Sequence, residues 1–160
     1  MHPTHVPLRV ATGAFILNAG IGKLGADADT AQALHGAAAN AYPGLVGDLK
    51  PATFTRVLAW AEIAVGTTLL APMVSSTVAG AALTGFGGSL IGMYLKTPSM
   101  TLADGIRPSQ QGTPVAKDIW LVGAGLTLLT QGLAGTAKSE AKAVKKSMKK
   151  GVRKATRLGG

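Results

Sequence analysis

The sequence predicts an all-α integral membrane protein, a four-helix bundle followed by a basic, amphipathic C-terminal tail. Three observations point there. Of 160 residues, 47% are apolar and only 14% charged, against roughly 25% charged in ordinary soluble domains. Four apolar segments have the length a bilayer crossing needs. The positive charge is gathered at one end: residues 1–137 carry seven Lys/Arg and six Asp/Glu, whereas residues 138–160 carry nine Lys/Arg and one Glu. The natural division is therefore a transmembrane domain, 1–137, and a basic cytoplasmic tail, 138–160.

The first segment, VPLRVATGAFILNAGIGKL (6–24), has 13 uncharged residues between Arg9 and Lys23. With both cations snorkelling outward it reaches across. Ala26-Asp27-Ala28 imitates a signal-peptide cleavage site, but Asn18 and the following Lys23 are atypical of such a segment. Residues 25–53 form a long connection whose Ala-rich AQALHGAAANAY (31–42) suits a short amphipathic interfacial helix ended by Pro43-Gly44. The second segment, 54–72, contains RVLAWAEIAVGTTLLAP with Glu62 inside it. The third, 73–95, is 23 residues without a charge, joined to the second by a tight antiparallel turn at Ala71-Pro72-Met73. KTPSMTLADGIRPSQQGTP (96–114) has turn chemistry throughout and reads as an exposed loop. The fourth segment covers about 117–137, with 19 uncharged residues from Ile119. In lipid such segments are helical, because the backbone has no water to bond.

Small residues replace bulky ones in much of this apolar mass: there are 22 glycines. In the third segment GSLIG sets Gly88 and Gly92 four apart, extended by Gly85 and Gly87, a stripe suited to close helix packing within the chain or with a partner subunit.

A polar set interrupts the spans: Arg9, Asn18, Lys23, Arg56, Glu62, Lys117 and Asp118. A lone carboxylate in hydrocarbon is costly, so Glu62 must be protonated, hydrogen-bonded or paired; Asn18 is the expected hydrogen-bond partner and Lys23 or Lys117 the expected cation. Arg56, six residues from Glu62, points to another face. Such a set serves as a lock on helix register, as a pocket for a lipid or quinone headgroup, or in proton transfer. Cysteine is absent, which excludes disulfides, thiolate nucleophiles and Cys-ligated metal centres within the chain. His2, His5 and His35 lie outside the apolar segments, and the first two are expected on a mobile chain end. No intrinsic cofactor or metal site is expected.

On a helical wheel the tail places Ala141, Val144, Met148, Val152 and Ala155 in one arc. Lys138, Lys142, Lys145, Lys146, Lys149, Lys150, Arg153, Lys154 and Arg157 fall on the opposite half. This is the pattern of a surface helix drawn to anionic lipid headgroups. The tail has no aromatic residue to stack on bases, which argues against nucleic acid. Lysine and arginine excess marks the cytoplasmic side, so both termini are expected inside, with 25–53 and 96–114 outside.

These residues resemble the DoxX-like family of bacterial four-helix membrane proteins. The likeness rests on Arg9, Gly13, Phe15, Gly20 and Lys23 in the first segment, Glu62, Gly66 and Leu69 in the second, and Lys117 with Asp118 opening the last. The resemblance implies a multi-pass protein of the bacterial plasma (inner) membrane, and some members accompany quinone-linked oxidoreductases. Without cysteine or an intramembrane histidine, the expected role is a non-catalytic component of a larger membrane assembly, holding a lipid or quinone. The alternative is a small membrane subunit of a quinone-linked oxidoreductase.

Overall fold

The computed structural model describes the backbone of residues 3–158 and the side chains of 4–149. After a short 3-10 turn, Pro3–His5, the chain forms α1 (Val6–Lys23), α2 (Ala28–Ala41), α3 (Pro43–Val46), α4 (Pro51–Leu70), α5 (Ser76–Lys96), α6 (Thr113–Ala116) and α7 (Ile119–Leu158). No strand forms among the described residues beyond an isolated bridge between Thr101 and Pro108. Proline opens α1, α3, α4 and α6 within their first two positions, where its fixed φ suits the helix and its missing N–H would have been an orphan.

Two antiparallel pairs organise the molecule: α1 packs along α4, and α5 along α7. Glycine sets how closely each pair approaches. A methyl group on Gly66 would lie 2.7 Å from the Leu17 backbone N, and one on Gly20 would lie 2.8 Å from the Ala59 carbonyl. In the other pair Gly80 abuts Leu129 and Gly125, Gly87 abuts Val122, and Gly132 abuts Thr77. Gly13/Gly20, Gly80/Gly87 and Gly125/Gly132 each recur after seven residues, two helical turns, and so share a face.

The stripe expected at Gly85, Gly88 and Gly92 does not make these contacts. Gly85 and Gly88 are exposed and face open space, while Gly92 meets only the Tyr42 hydroxyl. Gly87 alone of that group faces another long helix. Within the chain the buried side of α5 runs instead through Gly80, Leu83, Gly87 and Tyr94.

The two pairs meet in one apolar core of Ile16, Leu69, Ala79, Leu83, Leu121, Ala124 and Leu128. The turn between α4 and α5 is longer than expected. Ala71 is extended ahead of Pro72, as a residue before proline must be. Ser75 caps α5 by accepting the Val78 N–H at 3.2 Å, so α5 begins at Ser76 rather than Met73. The N-terminus is tied here too: His5 is buried and its Nδ1 lies 2.7 Å from Ser76 Oγ. It is therefore not part of a mobile end; His2 lies outside the described residues.

Two helical stretches are long and apolar enough to cross a membrane, Ser76–Lys96 and Thr113–Lys149. Only 28% and 22% of their most apolar windows are buried inside the protein. By that measure α1 and α4 are less apolar, so two of the four expected spans meet it. The last helix runs 40 residues without a break at the 137/138 change of composition, about 60 Å at 1.5 Å per residue. Lys142, Lys145, Lys146 and Lys149 are exposed along it. The side chains of Lys150, Val152, Arg153, Lys154, Ala155 and Arg157 lie outside the described residues.

The loop between α5 and α6 is held by its own turn. Gly105 takes a positive φ of 71°, which suits glycine. Asp104 Oδ1 accepts the N–H groups of Ile106 (3.0 Å) and Arg107 (2.9 Å), and Oδ2 pairs with the Arg107 guanidinium. Arg107, then these amides, hold the Asp104 carboxyl below its ordinary range. Because the folded pKa is depressed, this contribution is complete above the unfolded value of about 3.9 and is lost as pH falls through the lower folded value.

Two predictions follow from these contacts. Gly80→Ala should destabilise the fold by about 1–3 kcal/mol through overpacking, whereas Gly85→Ala should be neutral or stabilising by up to about 1 kcal/mol; thermal unfolding in detergent compares them. Protection of the Ile106 and Arg107 amides, referred to the intrinsic exchange rate at each pH, should fall as pH drops below the ordinary aspartate range in the wild type, and Asp104→Ala should show the reduced protection at neutral pH already.

Candidate functional site

The charged residues of α1 and α4 separate to opposite ends of the pair. At one end Arg9 is fully buried. It donates Nε to Leu69 O (2.7 Å), Nη1 to Val74 O (2.9 Å), and Nη2 to Thr68 O (3.0 Å) and Ala71 O (2.9 Å). The last carbonyls of α4 have no partners within the helix. A planar guanidinium with five N–H groups satisfies them together, at the negative end of the helix dipole. No carboxylate among the described residues pairs with it. Arg9 thus clamps the α4–α5 turn and stands apart from Glu62.

At the other end Lys23 Nζ lies 2.8 Å from Glu62 Oε2, and it also donates to Ala19 O at 3.4 Å. Lys23 occupies the last turn of α1, where the helix dipole favours a cation. The glutamate side chain is 6% exposed and the lysine 21%, so the pair is largely removed from solvent. Of the two cations expected for Glu62, Lys23 is the one in contact; Lys117 is exposed. Asn18 is also exposed and makes no bond with Glu62. Residues 16, 20 and 23 of α1 turn inward, and position 18 falls on the far side. Arg56 is exposed and borders a small recess of about 250 Å³ shared with Lys23, Asp27 and Thr55.

The ion pair forms part of the wall of a cavity of about 590 Å³. Every long helix contributes. Ile16 and Ala19 come from α1, Leu58 and Glu62 from α4, Phe86 and Leu90 from α5, and Asp118 with Leu121 from the start of α7. The cover is built from the connection that the sequence placed outside the bundle. Leu34, Ala37 and Ala38 of α2, with Leu45 and Val46 of α3, line the same space.

That cover is anchored at several points. Asp27 caps α2 by accepting the Thr30 N–H at 2.8 Å, and this bond holds the Asp27 carboxyl below its ordinary range. The Tyr42 hydroxyl donates to Ser89 O at 3.0 Å, and Lys96 sits 4.4 Å from the Tyr42 ring centroid. His35 Nε2 lies 3.0 Å from Val46 O, and its ring meets Phe54 edge-on at 5.6 Å. Sequence reasoning missed Tyr42, Ser89 and the role of α2. The available signal was the Asp27-Ala-Asp-Thr30 cap ahead of an Ala-rich helix with buried positions Ala31, Ala38 and Ala41.

Among the described residues no group of three or more His, Asp or Glu forms a metal site. Asp118 is half-buried and borders the cavity, and its carboxylate has no hydrogen-bond or ion-pair partner among the described residues. The site is thus an apolar chamber with three charged groups on its wall, two of them paired. No family model, curated protein or solved structure matches the chain.

The two ends make separable contributions. Glu62→Gln should cost about 2–4 kcal/mol by stranding the Lys23 ammonium, with most of the loss recovered in Lys23→Met/Glu62→Leu. Arg9→Met should cost at least about 3 kcal/mol by orphaning several carbonyls. Unfolding midpoints of these variants in one detergent compare them.

Proposed function

We propose that this protein is a DoxX-like, multi-pass component of a bacterial plasma (inner) membrane. In this reading α1, α4, α5 and the first part of α7 form a four-helix transmembrane bundle with both termini cytoplasmic. Its role is non-catalytic: it docks to a larger membrane assembly and holds an amphiphile, a lipid or quinone. The observation that carries the reading is the covered apolar cavity with the Lys23–Glu62 pair and Asp118 on its wall. A volume of about 590 Å³ falls in the range of small-molecule sites, which combine apolar walls with a few placed polar groups.

The membrane part of the reading is supported by what faces outward. Val10, Phe15 and Ile21 on α1, Val57 and Trp60 on α4, Val78 and Leu95 on α5, and Trp120, Leu126 and Leu133 on α7 are all exposed. So much outward apolar surface suits a hydrocarbon surround better than water. The cationic tail, with Lys142, Lys145, Lys146 and Lys149 exposed, suits contact with anionic lipid headgroups.

A second reading, a small membrane subunit of a quinone-linked oxidoreductase, is favoured by Glu62 and Asp118 bordering one cavity. Two carboxylates there suit proton exchange with a bound quinone.

Native mass spectrometry from mild detergent tests the first reading. The expected result is a bound lipid or quinone, lost when the cavity is filled by Ala38→Trp, together with a co-purifying membrane protein. A monomer free of any amphiphile contradicts it. Quinone-dependent turnover abolished by Glu62→Gln or Asp118→Asn would promote the second reading.

A further inference from the structure

The polar groups on the cavity wall are unequally committed. Lys23, its only cation among the described residues, uses two of its three N–H groups internally, on Glu62 Oε2 and Ala19 O. The hydroxyl protons are spent as well: Tyr42 donates to Ser89 O, and Ser89 Oγ donates to Phe86 O at 2.7 Å. What remains is mainly acceptor capacity. Glu62 Oε1 has no described partner, and neither oxygen of Asp118 has one. Asp118 directly precedes α7, yet its side chain caps none of that helix's N–H groups.

The wall therefore carries one cationic residue, Lys23, against two acidic ones, Glu62 and Asp118. An anionic headgroup entering here would meet Asp118 and would have to draw Lys23 from Glu62. That would leave a carboxylate buried and unpaired, a costly exchange. A cationic headgroup meets the opposite situation, a half-buried, unpaired carboxylate on an apolar wall, where charge pairing is screened less than in open water.

We propose that the cavity selects amphiphiles with a cationic, hydrogen-bond-donating head, an ammonium on an apolar body, and that Asp118 is its counter-ion. The inference rests on the cavity being a ligand site, and it specifies the ligand's charge. The apolar lining from Ile16, Phe86, Leu90 and Leu121 receives the hydrocarbon, while the ammonium lies at the Asp118 end. Neutral amphiphiles of the same size bind through the apolar part alone, and carboxylates bind worst.

Trp120 supplies a local reporter, since its ring centroid lies 6.3 Å from that of Phe15, which lines the cavity. Trp60 is exposed on α4, so Trp60→Phe leaves one informative tryptophan. In a nonionic detergent, Trp120 fluorescence of the full chain is titrated with dodecylamine, dodecanol and dodecanoate at neutral pH. Dodecylamine should bind about tenfold more tightly than dodecanol, a difference of about 1.4 kcal/mol, with dodecanoate weakest. Asp118→Asn should bring dodecylamine to within about threefold of dodecanol. The wild-type ranking stands as a test by itself if that variant fails to fold. Equal affinities in the wild type, or an amine preference that survives Asp118→Asn, overturn the charge selection and leave the cavity reading in place. No response to any of the three probes overturns both.

Discussion

Backbone-to-backbone contact through glycine is the constraint on which the rest of this structure depends. In each antiparallel pair the glycines leave no room for a Cβ, and the two helices of a pair cannot be separated without losing that contact. The distance within a pair is thus fixed, and the space between pairs is whatever the remaining side chains fill. Near the α4–α5 turn it is filled by Leu69, Ala79 and Leu128. Toward the far end the pairs leave the cavity, and α2 covers it. The chamber is a consequence of how the pairs are made.

Charge is placed to suit that geometry. Arg9 closes the filled end by satisfying the α4–α5 carbonyls, so the hairpin that sets the register of α5 against α4 is tied to α1. Lys23 and Glu62 tie the same two helices at the open end. Each cation neutralises something different, a set of helix-end carbonyls in one case and a carboxylate in the other. Asp118 is then the only carboxylate on the cavity wall left without a described partner, which makes the chamber electrically asymmetric.

Much of the helical framework was legible in the sequence, because apolar runs and proline positions are local signals. The first segment, 6–24, differs from α1 by one residue, and the exposed turn at 96–114 is where its chemistry placed it. Three-dimensional facing was less legible. Asn18 was assigned to Glu62 by depth along the helix, and depth says nothing about azimuth. The four-residue spacing of Gly88 and Gly92 marks one face of α5, whereas the packing faces within the chain follow seven. The cover escaped notice because α2 is small-residue-rich and only weakly apolar, and its anchors, Tyr42 on Ser89 and Lys96 over Tyr42, are long-range pairs without a sequence signature. The basic tail shows the limit in another direction. A wheel drawn on residues 138–160 sorts the charges, but nothing local indicates that the tail simply continues α7.

The same facing argument bears on why α1 and α4 fall short of α5 and α7 in apolarity. An average along a helix counts every residue equally, yet three of the four charged residues of these two helices, Arg9, Lys23 and Glu62, are consumed between them. Arg9 is spent on α4 carbonyls and Lys23 on Glu62, while Thr12 is satisfied within α1 by Leu8 O at 2.8 Å. What α1 and α4 present outward includes Val10, Phe15, Ile21, Val57 and Trp60, with Asn18 and Arg56 as interruptions. The cost of a polar group in hydrocarbon falls on groups left without partners, so the face that meets the surroundings matters more than the mean. For two helices that bury their ionic groups against each other, that outward face is the physical ground for proposing that they share the solvent of α5 and α7.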